Sequence, residues 1–261
     1  MELGLRGRRA LVTGASRGTG EGIARVLAAE GATVWVHGFA RDPAEDVAAD
    51  IRLEGGEARA IKGDIRTDSG AAAVVRATGE IDILVNNYGV AKGGGWDSSS
   101  REWIELYEDN VLSGVRLVRA LTPGMRARGW GRVIFVSTIG SVRPRARMPH
   151  YYAAKATLAN VTLSLAKELA HTGVTVNCVS PGIVATGEVL ESFTQLAESR
   201  DLATDRASLE RLIFDEFMPI PAGIVGDPVD IGHMIAFLAS ERARYVNAAD
   251  LRIDGGAADC V

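Results

Sequence analysis

The residues that most constrain the fold are Arg9-Ala10-Leu11-Val12-Thr13, followed at once by Gly14-Ala15-Ser16-Arg17-Gly18-Thr19-Gly20 and then by a helical pattern over 23–29. The short apolar run reads as a buried strand, and the glycines allow a tight turn into a helix. Strand, glycine-rich turn and helix in that order form the setting in which backbone N–H groups and the positive end of a helix receive a phosphate. The same turn would also serve as a close connection and nothing more. The rest of the chain has to supply the partners of a bound nucleotide.

The alternation continues. Strands are expected over 31–37, 58–61, 81–85, 132–138, 174–179 and 249–253, with a polar helix over 43–54, a short one before residue 81, and a final helix over 231–239. Between them, residues 100–126 carry Trp103, Leu106, Tyr107, Val111, Leu112, Val115, Leu117 and Val118 at helical spacing. The helix that opens at Tyr151 continues through Leu158, Val161, Leu165 and Leu169. Regular alternation of this kind predicts a parallel sheet. With 261 residues, 47% of them apolar, and no linker, repeat or low-complexity segment, one domain is expected. Its only irregular stretch is a lid-like insertion at about 187–224.

Composition narrows the function classes. A net charge of −4 gives no reason to expect nucleic acid or an anionic membrane as partner. No secretory leader or transmembrane run is read, and no metal site. Cys178 in an apolar strand and Cys260 near the end are poor partners for a disulfide, so a reducing, cytoplasmic setting is expected.

The chemistry-bearing residues lie at strand ends and on one helix. Tyr151 and Lys155 stand one helical turn apart, and a nearby ammonium is expected to stabilise the phenolate and draw the tyrosine pKa toward neutrality. The end of the second strand, His37-Gly38-Phe39-Ala40-Arg41, has no carboxylate before Asp42. In a dinucleotide-binding unit that acid would grip an NAD ribose; Arg17 and Arg41 suit a 2′-phosphate instead, which favours NADP over NAD. Asp64 either accepts from an adenine amine or caps the next helix. Asn86 and Asn87 hold strand ends together or line a cofactor groove, and Asn110 inside the long helix either packs or bulges the helix to bind a water chain. Ser137, Thr138 and Ser141 put hydroxyls at the carboxyl end of a strand, where open α/β sheets hold ligands; alternation points Ser137 away from Thr138. Trp96 in a glycine-rich loop borders the substrate or solvent. Arg143, Arg145, Arg147 and Lys92 form a solvated basic surface or attract an anionic substrate.

From Thr13 to Gly20, through Asn86-Asn87-Tyr88-Gly89, Tyr151 to Lys155 and Pro181-Gly182-Ile183, to Asp254-Gly255-Gly256, the chain resembles the short-chain dehydrogenase/reductases. The resemblance implies a Rossmann-like, doubly wound α/β fold with a seven-stranded parallel sheet and helices on both faces, usually assembled as a homotetramer. It implies hydride transfer between NAD(P)(H) and a ketone or secondary alcohol, with Tyr151 as general acid/base and Lys155 as its pKa partner, also reaching the nicotinamide ribose. Thr138 stands where the family usually has serine, and Asn110 where it anchors a water relay. Cofactor contacts are expected along Gly14, Ser16, Arg17, Gly18, Thr19, Gly20, Gly38, Arg41, Asp64, Ile65, Asn87, Tyr88, Gly89, Tyr151, Lys155, Pro181, Gly182, Ile183 and Thr186. Two further positions depart from the pattern: Tyr88 replaces a common alanine and either narrows the groove or turns outward, and Thr19 replaces a frequent isoleucine. A 3-oxoacyl thioester reductase is an alternative within the family, weakened because its carrier-gripping arginines appear here as Gly129 and Thr172. A nucleotide-binding sensor without turnover is the alternative from another class.

Overall fold

In the computed structural model, which describes residues 2–259, the apolar runs form parallel strands joined by helical crossovers. The elements are β1 (Arg9–Val12), α1 (Gly18–Ala29), β2 (Thr33–Gly38), α2 (Arg41–Leu53), β3 (Glu57–Lys62), α3 (Asp68–Thr78), β4 (Ile83–Asn86) and α4 (Ser100–Tyr107). A π-helical turn (Glu108–Leu112) then leads to α5 (Ser113–Ala127), β5 (Gly131–Val136), α6 (Pro149–Glu168), β6 (Val174–Pro181), α7 (Gly187–Glu198), α8 (Arg206–Glu216), α9 (Pro228–Ala239) and β7 (Asp250–Ile253). All strand pairs are parallel, in the order β3-β2-β1-β4-β5-β6-β7. The chain winds outward from β1 to β3, then returns to β4 beside β1 and winds the other way. That reversal opens a crevice at the carboxyl ends of β1 and β4.

Alternation along the strands builds two core layers. Ala10 and Val12 of β1, with Ile134 and Val136 of β5, face Ile23, Leu27, Ile231 and Ile235 of α1 and α9. Leu11, Val133 and Phe135 face the other way, onto Leu117, Leu121 and Leu158 of α5 and α6. The fold class is the expected one. Cys178 is a buried free thiol; Cys260, its considered partner, lies outside the described residues. Among the described residues no helix is long and apolar enough to cross a membrane.

Two sequence expectations are refined. The helix expected over 100–126 is divided by the π turn, because the Asn110 side chain donates both to Leu106 O (2.9 Å) and to Val90 O (3.1 Å). Helix α5 runs through Pro123 to Ala127, as the expected end near residue 126 implies. The irregular stretch near 187–224 holds two short helices. Thr186 caps α7 by accepting from Val189 N, Asp205 caps α8 by accepting from Ser208 N, and Leu190, Phe193, Leu209 and Leu212 pack between them.

Helices α1 and α9 pack backbone to backbone. A Cβ added at Gly22 would lie 2.4 Å from Pro228 Cβ, and one at Gly232 would lie 2.7 Å from Val26 Cγ2. Gly22→Val is therefore expected to cost about 2 kcal/mol or more in urea unfolding. Gly93→Ala, with nothing within 4 Å of the added carbon, is expected to stay within about 0.5 kcal/mol of wild type.

Candidate active site

The turn after β1 is clamped to the end of β4. Thr13 Oγ1 donates to Val85 O (3.3 Å) and accepts from the backbone N–H groups of Asn87 and Tyr88, each at 3.0 Å. Asn87 Nδ2 returns the tie by donating to Thr13 O (2.9 Å) and Gly14 O (3.1 Å). A Cβ at Gly20 would lie 2.2 Å from Gly14 O and 2.5 Å from Asn87 Nδ2, so only glycine permits this approach. The first turn of α1 receives no cap: Arg17 stands at the N-cap without a side-chain hydrogen bond. Its N–H groups thus face the crevice without a side-chain acceptor. Ser16 lies beside Gly38, and Thr186 beside Gly18, where a Cβ would meet Thr186 Cγ2 at 3.3 Å. Arg17 extends outward and pairs with Glu188 of α7 at 2.8 Å. Thr19 is partly exposed in the same first turn.

The carboxyl ends of β2 and β3 carry residues that sequence reasoning passed over. His37 is fully buried; its Nδ1 accepts from Gly14 N (3.3 Å) while its Nε2 lies 3.0 Å from Gly63 O. Both contacts are met by the neutral Nε2–H tautomer, and burial lowers the His37 pKa in keeping with that form. Asp64 does not cap α3. Thr67 does, by accepting from Gly70 N, because Asp64 is engaged by Arg66 through Nε (2.8 Å) and Nη2 (2.9 Å). That fork holds the Asp64 carboxyl below its usual range. Ile65 is buried beside it, and Arg41 opens α2 as an exposed residue. The Tyr88 ring is half-buried rather than turned outward. It lies 4.7 Å from the Phe39 ring, and its hydroxyl donates to Asp109 Oδ1 at 3.1 Å.

On the other side of the crevice β5, α6 and the π turn converge. Lys155 is buried and its Nζ donates to Val136 O at 2.8 Å, while Ser137 Oγ donates to Lys155 O at 2.9 Å. Ser137 is therefore a support beneath the lysine, a role the sequence did not indicate. Thr138, next along, is partly exposed, and its Oγ1 accepts from Gly140 N at 3.2 Å. Ser141 Oγ is buried without a hydrogen-bond partner. Gly89 is where the pieces meet: a Cβ there would lie 2.5 Å from Asn110 Oδ1 and 2.7 Å from Lys155 Nζ. Asn110 Oδ1 also accepts from Val90 N at 3.1 Å. Tyr151 stands at the start of α6, one turn before Lys155, with its ring 5.5 Å from that of Tyr152. The Tyr152 ring in turn covers Gly140, two residues past Thr138. At the next strand end Pro181 is buried, Gly182 N donates to Ile253 O (2.9 Å), and Ile183 is partly buried.

The expectation that Lys155 draws the Tyr151 pKa down needs correction. Burial pushes the Tyr151 phenol up to about 12 and the Lys155 ammonium down to about 8. Removal from water penalises phenolate and ammonium alike, and the ammonium is turned to the Val136 carbonyl. The basic segment also has other employment. Arg143 bonds Ala257 O and pairs with Asp259 at 2.9 Å, and Arg145 bonds Phe217 O while lying 3.6 Å over its ring. Trp96 is 76% exposed, on a loop held to α6 where Met148 N donates to Gly94 O.

Residues 8–196 match the family described as short chain dehydrogenase. This chain belongs to that family. It is 34% identical over 259 residues to the uncharacterized oxidoreductase YvaG of Bacillus subtilis, covering 98% of each chain. It is also 34% identical to the 3-oxoacyl-[acyl-carrier-protein] reductase FabG of Vibrio cholerae, covering 97% of this chain and 98% of that one. Among solved structures, L-sorbose reductase from Gluconobacter frateurii, complexed with NADPH and L-sorbose, superposes with a TM-score of 0.92 at 31% identity over the whole of both chains. The protein is thus an oxidoreductase of the short-chain dehydrogenase/reductase family, rather than a bare nucleotide sensor.

The buried lysine makes a stability prediction. Its folded pKa lies below its unfolded value, so between about pH 8 and pH 10 the unfolded chain binds the proton more tightly and stability rises with pH. The lysine's share, read as the difference between urea titrations of the protein and of Lys155→Met, is expected to be on the order of 2 kcal/mol over this range. The buried Cys178 thiol opposes it above about pH 9 in both proteins and cancels in the difference.

Proposed function

We propose that the protein transfers a hydride between NADP(H) and a ketone or secondary alcohol, with Tyr151, Lys155, Thr138 and Asn110 as its catalytic set. The observation that carries this reading is the meeting of Asn110 and Lys155 on Gly89, one helical turn from Tyr151 and at the end of the strand that presents Thr138. The glycine turn fits a dinucleotide. Its floor is filled by backbone where a Cβ would stand at Gly20, and the first turn of α1 offers uncapped N–H groups for a pyrophosphate. Gly14, Ser16, Gly18, Thr19, Asn87, Gly89 and Thr186 would line it, with Gly38, Asp64, Ile65 and Tyr88 toward the nucleoside and Pro181, Gly182 and Ile183 toward the nicotinamide.

The nicotinamide supplies or accepts the hydride; the protein handles the oxygen and its proton. At neutral pH the raised pKa keeps Tyr151 protonated, so in the reductive direction it donates a proton to the carbonyl oxygen as that oxygen gains charge. Thr138 Oγ1 holds the same oxygen by a hydrogen bond. Lys155, pinned to Val136 O, keeps its amine beside the helix turn where the phenol loses its proton. Asn110 fixes Val90 and, through it, the wall against which Lys155 lies.

NADP is favoured over NAD by Arg17 in the turn and Arg41 at the start of α2, whose N-cap Ala40 supplies no side-chain acceptor. The NADPH bound by L-sorbose reductase supports the same choice. Residues 187–224 would act as a lid, since Glu188 reaches Arg17 and Phe217 receives Arg145. Occupation of Arg143 and Arg145 by Asp259 and Phe217 speaks against a thioester carried by an acidic protein, despite the similarity to FabG. A homotetramer fits the exposed Ile104 on α4 and Leu163 on α6, and a reducing, cytoplasmic setting fits the free Cys178 thiol.

A panel of ketones and alcohols screened with NADPH and NADH in parallel tests the reading. Tyr151→Phe is expected to abolish turnover while NADPH binding persists; joint loss of both would make the tyrosine structural. Thr138→Ser should retain activity, whereas Thr138→Ala should lose about 100-fold in kcat. Removal of both arginines (Arg17→Ala with Arg41→Ala) is expected to weaken NADPH binding by roughly 10- to 100-fold and leave NADH binding unchanged. A wild-type preference for NADH would defeat the arginine assignment.

A further inference from the structure

The segments Tyr88-Gly89-Val90 and Asp109-Asn110 run side by side and are cross-linked at two successive places. The inner link is the Asn110 carboxamide, which accepts from Val90 N and donates to Val90 O, each at 3.1 Å. The outer link is the Tyr88 hydroxyl, donating to Asp109 Oδ1 at 3.1 Å. Both ends of the outer link are tied to backbone. Tyr88 N donates to Thr13 Oγ1 (3.0 Å), and Ser113 Oγ donates to Asp109 O (2.7 Å). A displacement of the Tyr88 ring is therefore passed on to the π turn rather than absorbed by a loose loop.

The outer link also faces the first half of the sheet. The Tyr88 ring lies 4.7 Å from Phe39, just past the carboxyl end of β2, and Arg66 covers Phe39 at 5.0 Å while approaching Asp109 to 4.0 Å. In a doubly wound sheet with its phosphate turn after β1, the nucleoside half of a dinucleotide lies across the carboxyl ends of β2 and β3. Phe39, Arg66 and Tyr88 stand at that edge, and an aromatic face beside a guanidinium suits a purine.

We infer that Tyr88 is a positioning residue: its ring walls the nucleoside subsite, and its hydroxyl, through Asp109, sets the π turn from which Asn110 meets Gly89 and Lys155. This rests on the NADP(H) reading above. Seating the nucleoside against the ring and holding Asn110 in place then become one coupled event, and the bulk of Tyr88 has a use at a position where a small side chain would leave Asp109 without its donor.

The test is a double-variant cycle in the full-length protein. NADPH binding is followed by nicotinamide fluorescence, kcat with the best ketone of the panel, and folding by urea midpoint. Tyr88→Phe, which removes only the hydroxyl, and Asp109→Ala are each expected to weaken NADPH binding by about 3- to 10-fold, the range of a hydrogen bond to a partly exposed charged group. Each should lower kcat as well. Combined, they should do no more than the worse of the two, because they cut the same link. Asp109→Asn, which keeps an acceptor oxygen, should restore most of both. Wild-type NADPH affinity and kcat in Tyr88→Phe, multiplied losses in the double variant, or a fall in urea midpoint with no change in affinity would overturn the inference alone. Failure of the wild type to bind any nicotinamide nucleotide would overturn the functional reading, and this one with it.

Discussion

The hydroxyl of Thr13 and the carboxamide of Asn87 hold together the two strands between which the winding of the sheet reverses, and the geometry of the crevice depends on that tie. Strands β1 and β4 pair as far as Val12 and Val85, with one further backbone bond from Thr13 N to Val85 O (3.0 Å); past it the chains run on toward α1 and toward Tyr88. Thr13 Oγ1 and Asn87 Nδ2 take over where the ladder stops, adding side-chain bonds to the backbone of Asn87 and Tyr88 on one strand end and of Thr13 and Gly14 on the other. The glycine turn is thereby seated on the end of β4, and Gly20 can approach Gly14 O without a side chain between them. His37 performs the same service toward β3, bridging Gly14 N and Gly63 O from a buried ring.

A second constraint is the enclosed ammonium of Lys155. Burial of a lysine is costly, and the fold offsets the cost locally through Val136 O while Ser137 holds the backbone of the same residue. The π turn answers a related need. An ordinary α-helical course would leave the Asn110 side chain to compete with its own helix; the bulge lets it bond Leu106 O and both polar groups of Val90. The resulting wall at Gly89 is so close-packed that no side chain fits there. Cost in one place and rigidity in the next are linked, as is common where a site must be held open in a fixed shape.

Much of this was legible in the chain. The alternation of apolar runs with helical patterns predicted the parallel sheet, since periodicity reports which face is buried. The turn from Gly14 to Gly20 meets Asn87 at the end of β4, and Tyr151 and Lys155 lie on one helix, as read from the sequence. Exclusion of Ser137 followed from strand alternation alone. What escaped was long-range. His37, Phe39, Arg66 and Asp109 gave no signal beyond a polar residue at the end of an apolar strand or a charge in a helix, because their partners are supplied by other strands. Of the two roles open to Asp64, the cap is taken by Thr67, which lies nearer the helix start, while Arg66 occupies the carboxylate.

By itself, then, the sequence determined the class of fold, the glycine turn after β1 and the residues proposed to carry the chemistry, all of which rest on local patterns of burial and spacing. Only the tertiary structure decided which charges are available. It committed Arg143 and Arg145 to the C-terminal segment and to α8, and it placed Tyr88 against Phe39 and Asp109. It also put the shared burial of Tyr151 and Lys155 ahead of their mutual attraction in setting both pKa values. Spacing along a helix states that two groups are neighbours; the solvent excluded around them and the third groups that reach them are set by segments far away in the chain.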